Sequence, residues 1–207
     1  MNTSNSHIVQ IYNSRKNLLE ILETRGFDIS QYNNFGISEI GILSENDQLD
    51  MLFENNKKKI YVKYFTSKQI KPQNIYNIFE DLFHLENILS KNDDLIIILK
   101  DQPNDTLIQT IKDIWIEENI YISLIYIKCL QFNILKHELV PKHSILNTKE
   151  TEEFKIKYNI SENSELPEIS YFDPVCLVIG VRPDNIVKID RKSRTTINST
   201  YYRVCKL

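Results

Sequence analysis

Apolar residues recur along the first part of the chain with two different periods, and these predict helices and strands in turn. From residue 8 to Gly26 they return every third or fourth position, which predicts an opening helix with one buried face. Residues 49–54 and 60–65 are short apolar runs separated by the polar turn "NNKKK", a pattern typical of a β-hairpin. Residues 75–89 return to helical spacing. The hairpin is thus predicted between two amphipathic helices.

The next segments predict a parallel sheet. "DLIIILK", residues 94–100, is a continuous apolar run, which is typical of a strand buried on both faces. A helical pattern from Leu107 to Trp115 and another apolar strand, "YISLIYIK", follow it. From residue 60 the order is therefore β-α-β-α-β. This order suits parallel strands, which need crossover connections such as helices, and these crossovers are almost always right-handed. We predict a small α/β domain over residues 1–130.

The last third of the chain has shorter elements and more turn residues. Asn147 and Glu150 form a capping box that predicts a short helix, and Asp173, Pro174 and Gly180 mark the cap, first turn and end of another. "SENSELPEIS" is predicted as a loop, whereas "NIVKIDR" and "TYYRVC" predict two strands of a hairpin. These elements predict a small α+β domain over residues 131–207.

Charge divides the chain in the same way. Residues 1–130 carry 13 Lys/Arg against 18 Asp/Glu, residues 131–207 carry 12 against 10, and residues 182–207 carry seven against two. A chain with net charge −3 lacks the dense basic surface of a strong, independent nucleic-acid binder. The basic C-terminal end can still form one positive face.

The cysteine content and the hydropathy of the chain favour an intracellular location. Cys129, Cys176 and Cys205 are odd in number and contain no Cys-x-x-Cys pair, which favours a reducing environment and three buried, apolar thiols. No apolar run reaches the roughly 20 residues of a membrane span, and "MNTSNSHIV" lacks the features of a signal peptide. We therefore expect an intracellular protein with no membrane association.

Two histidines suggest a metal site, but their spacing argues against it. His137 and His143 are six residues apart with a proline between them, whereas helical metal pairs favour a separation of three or four. No cysteine or carboxylate cluster with zinc-like spacing completes a ligand set. We predict structural hydrogen bonds for both rings and no metal.

A second constellation lies on the predicted hairpin. Metal-dependent nucleases of the restriction-enzyme type place an aspartate on one strand and an acid-x-Lys triplet on the next, so that carboxylates hold the cation. Here Asp50 and Lys63 fit that arrangement, but Tyr61 stands where the second acid is required. A nuclease is kept as the alternative function. With only four glycines and no glycine-rich phosphate loop, no cofactor is predicted.

The loop "KDQPND" lies between a predicted strand and helix. Main-chain N–H groups at a helix N-terminus can meet a phosphate, with added contacts from Lys100, Gln102 and Asn104, while Asp101 and Asp105 oppose an anion. An ordinary connection and a nucleic-acid contact both remain open from these residues alone.

Three segments of the C-terminal part carry a resemblance. "HELVPKH", "LPEISYFDPVCLVIGVRPDNIVKIDRKS" and "YYRVC" stand in register, and over residues 134–205 the chain resembles the fifth subunit of eukaryotic nuclear RNA polymerases and its archaeal counterpart. The first 130 residues match more weakly, through the order of elements and the opening helix ending in "RGFDIS". The resemblance makes these residues the candidate assembly motif: His137, Glu138, Leu139, Val140, Pro141, Lys142, His143, Asp173, Pro174, Arg191, Tyr202 and Arg203.

The resemblance implies a non-catalytic polymerase subunit. Its N-terminal domain would be a jaw related to restriction-type nucleases without their active site, which agrees with Tyr61. Its C-terminal domain would dock on the largest subunit beside the other subunits, with no homo-oligomer. The jaw would lie beside downstream double-stranded DNA, with Pro103 at the position of the family's DNA-facing proline, so that the loop residues Lys100, Gln102, Pro103 and Asn104 face DNA. An adaptor that binds polymerase without touching DNA is a third hypothesis.

The resemblance also sets expectations about place and geometry. It implies the nucleus, or a virion or cytoplasmic viral factory, because the Asn/Ile/Lys bias suits an AT-rich eukaryote or a large DNA virus. Glu168 replaces a basic residue common after Leu-Pro, whereas Asp184 and Ile197 replace glycines, so altered turns are expected there. Within "HELVPKH" we expect Leu139 and Val140 to pack, Pro141 to stiffen the chain, and the histidines and Lys142 to form hydrogen bonds.

Overall fold

The chain folds into two compact units, residues 1–133 and 134–207. The computed structural model describes residues 2–55, 58–66, 68–193 and 196–207, with the backbone alone for residues 2–5. The two predicted hairpin turns include residues 56, 57, 194 and 195, which lie outside the described residues. Each unit contains one four-stranded sheet.

The first unit alternates helices and strands. Its elements are α1 (Asn2–Thr24), α2 (Ile37–Glu45), β1 (Met51–Glu54), β2 (Lys59–Phe65), α3 (Pro72–Glu80), β3 (Asp94–Leu99), α4 (Asp105–Glu118) and β4 (Tyr121–Tyr126). The sheet order is β1-β2-β3-β4, with β1 antiparallel to β2 and the other two pairs parallel. The predicted hairpin and the β-α-β-α-β order are confirmed.

Three details of this unit differ from the prediction. The opening helix begins at Asn2 rather than at residue 8. The helix predicted over residues 75–89 ends at Glu80 and continues as a π-helical turn, Asp81–Leu85. Helix α2 was not predicted, because its exposed Ile37 and Ile42 interrupt the simple amphipathic pattern of a helix that buries one face.

The central strand explains the arrangement of the first unit. All six residues of β3 are buried, so the strand has no polar face and requires cover on both sides of the sheet. Helix α1 contributes Ile11, Ile21 and Leu22 to the buried core with no exposed surface. Among the described residues, no helix is long and apolar enough to cross a membrane.

A buried carboxylate joins three segments of the first unit. Asp94, at the start of β3, is fully buried, and its Oδ2 accepts hydrogen bonds from Arg25 Nη2 and Lys58 Nζ, both at 2.7 Å. Arg25 follows α1 and Lys58 precedes β2. Because a buried charge is stable only when it is paired, this contact fastens the end of α1 and the β1–β2 turn to the central strand.

The second unit is an α+β fold. Its elements are β5 (Lys142–Ile145), α5 (Thr148–Tyr158), β6 (Glu168–Ser170), α6 (Pro174–Ile179), β7 (Ile186–Arg191) and β8 (Ser199–Lys206). The sheet order is β5-β7-β8-β6, in which only β6 and β8 are parallel. The predicted hairpin is β7–β8. Strand β5 was not predicted, and β6 lies in "SENSELPEIS", so the prediction of a loop there was wrong at its end.

Both predicted helix caps are present in the second unit. Asn147 Oδ1 accepts the Glu150 N–H at 3.0 Å, and Glu150 Oε2 accepts the Asn147 N–H at 2.8 Å, which completes the capping box. Asp173 Oδ1 accepts the Val175 N–H at 2.9 Å. Gly180 ends α6 with φ of 76°, a conformation in which a side chain would be strained. These caps define where both helices start and where α6 ends.

The core of the second unit contains two of the three cysteines. Cys176 and Cys205 are fully buried, and burial raises the pKa of both thiols to about 12, so they are protonated and inert at neutral pH. Cys129, in the first unit, is only half-buried, which corrects the expectation that all three thiols are buried. Burial also raises the pKa of Cys129.

The turn before β7 has a left-handed residue at Asp184. Asp184, at the position where the resemblance implies a glycine, has a left-handed φ of 65° before β7. Its N–H donates to the Cys205 carbonyl at 2.9 Å. Aspartate tolerates this region better than most residues, so the turn keeps the backbone that a glycine would give at a modest cost in strain.

The Asp94 contact leads to a stability prediction. Asp94→Ala leaves two cations beside a buried site without their acceptor, and we expect it to destabilise the first unit by about 3 kcal/mol. Arg25→Ala should cost less, because Lys58 still neutralises Asp94. Urea unfolding followed by Trp115, the single tryptophan, reports on the first unit alone. Equal losses for the two variants would contradict the assigned role of Asp94.

Candidate interaction sites

The three residues of the predicted nuclease constellation do meet in the structure. Asp50 Oδ2 accepts hydrogen bonds from Lys63 Nζ at 2.8 Å and from the Tyr61 hydroxyl at 3.0 Å. Its Oδ1 accepts the Tyr64 N–H at 3.2 Å. Strand pairing explains the contact, because Met51 lies opposite Val62, which places the residue before β1 beside Lys63. Both Asp50 oxygens therefore have donors.

This constellation fastens the hairpin through hydrogen bonds to Asp50. Burial and the adjacent Asp50 carboxylate raise the pKa of the Tyr61 phenol well above its ordinary value, so it remains a proton donor at neutral pH. Within the part of the chain that the structure describes, no group of three histidine, cysteine or acidic side chains could hold a metal. A tyrosine donor on Asp50 thus occupies the place where a nuclease needs a second anionic ligand.

The loop "KDQPND" lies at the carboxyl edge of the first sheet. Phe65 and Leu99 pair at the ends of β2 and β3, so the chain segments that follow both strands meet there. Lys100 and Gln102 are exposed, and Pro103 is half-buried. Asn104 is exposed too, but its Oδ1 accepts the Leu107 N–H at 3.0 Å and caps α4. Its side-chain acceptor is therefore already used inside the molecule.

Sequence reasoning missed basic side chains beside this loop. Lys68 lines the same cleft as Lys100, Gln102 and Asn104. His7, near the start of α1, has a lowered pKa because of burial and the positive charge of Lys100. The signal for Lys68 was available, because carboxyl ends of neighbouring parallel strands always lie at the same edge. The loop and Lys68 together form what we name the edge cleft.

The "HELVPKH" segment begins as a turn and ends as a strand. The Val140 N–H donates to the His137 carbonyl at 3.0 Å, and the Leu139 N–H donates to His137 Nδ1 at 3.2 Å. His143 Nδ1 lies 2.7 Å from the Pro141 carbonyl oxygen. Both rings make local hydrogen bonds, as predicted. Leu139 is 84% exposed, so the prediction that it packs was wrong, whereas Val140 is half-buried.

The reason for the exposed leucine is local. Leu139 lies in a turn ahead of the edge strand β5. An exposed leucine is common in proteins and carries little weight by itself. Glu138 and Lys142 are exposed beside it, so the motif presents both charge signs and one apolar side chain to solvent.

The two tyrosines of "TYYRVC" point to opposite faces of the second sheet. Tyr202 packs its ring on Phe154 and Tyr158 of α5, with centroids 4.2 and 5.9 Å apart. Tyr201 is 49% exposed on the other face, and sequence reasoning missed it. The alternation of side chains along a strand contained the signal, because only one of two adjacent residues can face a helix.

One face of this sheet gathers several motif residues around the buried Ile189. His143 pairs with Ile189 and Ile189 pairs with Tyr201, so the three form one row across β5, β7 and β8. Arg191 and Arg203 follow at a spacing of two residues, which places them on the same face. Both are exposed, and Arg203 Nη1 donates to the Glu168 carbonyl at 2.8 Å. We name these five residues the open face.

Asp173 and Pro174 have structural roles. Asp173 caps α6 as described, and Pro174 occupies the first turn, where its missing N–H costs nothing. Pro174 is exposed and Asp173 is half-buried. Neither residue lies on β5, β7 or β8.

Comparison with known proteins matches the second unit to a family. Residues 132–205 match the family described as RNA polymerase Rpb5, C-terminal domain. The chain is 43% identical over 74 residues to DNA-directed RNA polymerase subunit Rpo5 of Thermococcus celer, which covers 36% of this chain and 89% of that protein. With subunit Rpo5 of Methanosarcina mazei it shares 45% identity over 74 residues, covering 36% of this chain and 94% of that protein.

The match extends to the first unit in a plant relative. The subunit 5B of DNA-directed RNA polymerases IV and V from Arabidopsis thaliana is 28% identical over 200 residues, covering 93% of this chain and 88% of that protein. Both units therefore have a counterpart in one relative, while the second unit alone spans most of the archaeal subunits. The chain belongs to the Rpb5 (Rpo5) family of DNA-directed RNA polymerase subunits.

Proposed function

We propose that this chain is a non-catalytic subunit of a multisubunit DNA-directed RNA polymerase. The observation that carries the proposal is the match of residues 132–205, which alone spans 89% of an archaeal polymerase subunit. Nucleotidyl transfer belongs to the complex, and other subunits carry it out. The proposal predicts stable incorporation into a large assembly with the largest subunit as direct partner.

The second unit is the proposed assembly domain, and the open face is its proposed docking surface. Aromatic and arginine side chains are enriched among the residues that dominate binding energy at interfaces. Tyr201, Arg191 and Arg203 provide these types on one side of the sheet, around the buried Ile189. Tyr202 supports the surface from behind by holding β8 on α5.

The first unit is the proposed jaw, related in fold to restriction-type nucleases. Both Asp50 carboxylate oxygens already accept hydrogen bonds from protein groups. This supports a jaw that has lost the nuclease chemistry of the related fold. The edge cleft is its proposed DNA-facing surface, because Lys68 and Lys100 can neutralise phosphates of downstream double-stranded DNA without reading sequence. Asp101 lowers the net positive charge of the edge cleft. The proposed cleft would therefore guide downstream DNA rather than bind it tightly.

The proposed functional division is residues 1–130 as jaw and residues 131–207 as assembly domain. The proposed partners are the largest and other polymerase subunits and downstream DNA, with no second copy of the chain. The proposed compartment is the nucleus, or a virion or cytoplasmic viral factory for a chain of viral origin. The Asn/Ile/Lys bias suits both an AT-rich eukaryote, which implies the nucleus, and a large DNA virus, which implies the virion or viral factory.

Loss of an open-face side chain should weaken assembly. Tyr201→Ala and Arg203→Ala should each lower the affinity for the largest subunit by about tenfold, the effect typical of an interface residue worth about 1–2 kcal/mol. The measurement is quantitative co-purification with the tagged chain expressed in its source. Ile116→Ala, which removes a 72% exposed side chain in the first unit, is the matched control and should leave assembly unchanged. Recovery of neither large subunit with the folded wild-type chain would refute the proposed function.

Crosslinking distinguishes a jaw from a plain adaptor. A photoreactive amino acid at Gln102 should crosslink to downstream DNA in an assembled elongation complex, because this side chain is exposed in the edge cleft. The same group at Leu52, on the edge strand β1, is the control. An active complex in which neither position crosslinks would support the adaptor that binds polymerase without touching DNA.

The nuclease alternative makes a different prediction. With Mg²⁺ or Mn²⁺ the purified chain should leave linear and supercoiled DNA intact, because Tyr61 stands at the position of the second acid and donates a hydrogen bond to Asp50. Asp50→Asn should lower the unfolding midpoint instead, since three donors lose a charged acceptor. Metal-dependent cleavage that disappears in Asp50→Asn would favour the nuclease.

A further inference from the structure

Strand β5 leaves one side of its backbone without a partner among the described residues of the second unit. It forms one edge of the sheet and pairs only with β7. The Leu146 N–H donates to the Ile186 carbonyl at 3.0 Å, which identifies residues 146 and 186 as a hydrogen-bonded pair of the antiparallel ladder. Such pairs alternate along the strands, so Ser144 and Lys142 also direct their main-chain groups toward β7.

The intervening residues must therefore direct their main-chain groups outward. The N–H and C=O of His143 and Ile145 point away from β7, and no described residue of the second unit pairs with them. The next ladder agrees with this parity, because the Cys205 N–H donates to the Asn185 carbonyl at 2.9 Å, so the odd residues of β7 bond β8. The outward groups offer two donors and two acceptors in one row.

We infer that β5 takes an added strand from the largest polymerase subunit, so that His143, the last residue of "HELVPKH", and Ile145 beyond it bind the partner through main-chain hydrogen bonds. This inference rests on the proposed function. Addition of an extended segment to a free sheet edge is a recurrent mode of protein recognition, in which the backbone gives affinity and alternate side chains give specificity. The rings of His137 and His143 already make local hydrogen bonds within the chain. A main-chain contact lets the segment bind a partner without using those ring nitrogens.

Two features of the second unit select the partner. This unit alone spans 89% of an archaeal polymerase subunit, so the surface that such a subunit needs for assembly lies within it. The edge is also continuous with the open face, because His143 belongs to both. A partner that covers the open face therefore reaches the free edge without a gap.

The side chains beside the edge define the chemistry of the added strand. His143 and the half-buried Ile145 lie on the open face, so the strand should place apolar side chains there. Lys142 and Ser144 lie on the opposite face, where Lys142 is exposed. An acidic side chain next to Lys142 would be favourable, so the expected segment alternates apolar and acidic residues.

The edge also has features that prevent two copies from pairing. It is only four residues long, it follows Pro141, and it begins with a lysine, and short, charged edges discourage non-specific strand pairing. A chain that binds one defined partner at this edge is expected to avoid strand pairing between two of its own copies.

The test replaces one outward N–H. Proline is tolerated in an edge strand where the N–H faces away from the ladder, so Ile145→Pro should fold and still remove a donor. We expect affinity for the co-expressed largest subunit of the same source to fall about tenfold. Ile145→Val keeps the N–H and should assemble normally. Ser144→Pro, which removes an N–H facing β7, should lower the unfolding midpoint instead.

Hydrogen exchange of the wild-type chain gives a second readout that needs no variant. The amides of His143 and Ile145 should exchange quickly in the isolated chain and become protected in the complex with the largest subunit. Unprotected amides in a formed complex, or normal assembly of folded Ile145→Pro, would overturn this inference and leave the proposed function standing. Protection that rises with the concentration of the isolated chain would show a second copy at the edge and overturn it as well. Failure of the wild-type chain to bind the largest subunit would overturn both.

Discussion

The burial of the central strand is the constraint on which the first unit depends. All six residues of β3 are buried, and Asp94 at its start draws Arg25 and Lys58 onto the same strand. A strand without an exposed face cannot contact another molecule through its side chains. Function in such a unit is therefore confined to the ends of strands and to the edges of the sheet. The edge cleft at the carboxyl ends of β2 and β3 follows from this constraint.

Periodicity predicted the parts of the fold that bury most surface. The run over residues 94–100 and the helical pattern around Leu107 identified β3 and α4, because burial on a regular period leaves a visible trace in the sequence. Strands β5 and β6 have no visible period in the sequence, because they contain only four and three residues and their burial alternates incompletely. Short edge strands are stabilised by register with neighbours that are distant in sequence, and no local pattern reports that.

The candidate sites show the same division between local and distant information. The sequence brought Asp50, Tyr61 and Lys63 together correctly, because strand pairing in a hairpin is short-range. It could not show that both Asp50 oxygens have donors from the protein. Likewise the motif "HELVPKH" was predicted to act through packed and hydrogen-bonding side chains. The exposure of Leu139 and the edge position of β5 become visible only once β7 is placed.

The backbone interface proposed for β5 would allow this chain to diverge and still assemble. Main-chain hydrogen bonds require a register and a set of dihedral angles, and they place weak limits on side-chain identity. The turn ahead of β7 illustrates this, since Asp184 adopts there a left-handed φ of 65°, a conformation that a glycine would also adopt. Strand β7 in turn holds β5 in register. Selection on such an interface would act on turns, prolines and strand pairing, so substitutions that preserve the ladder should be better tolerated than conservative ones that break it.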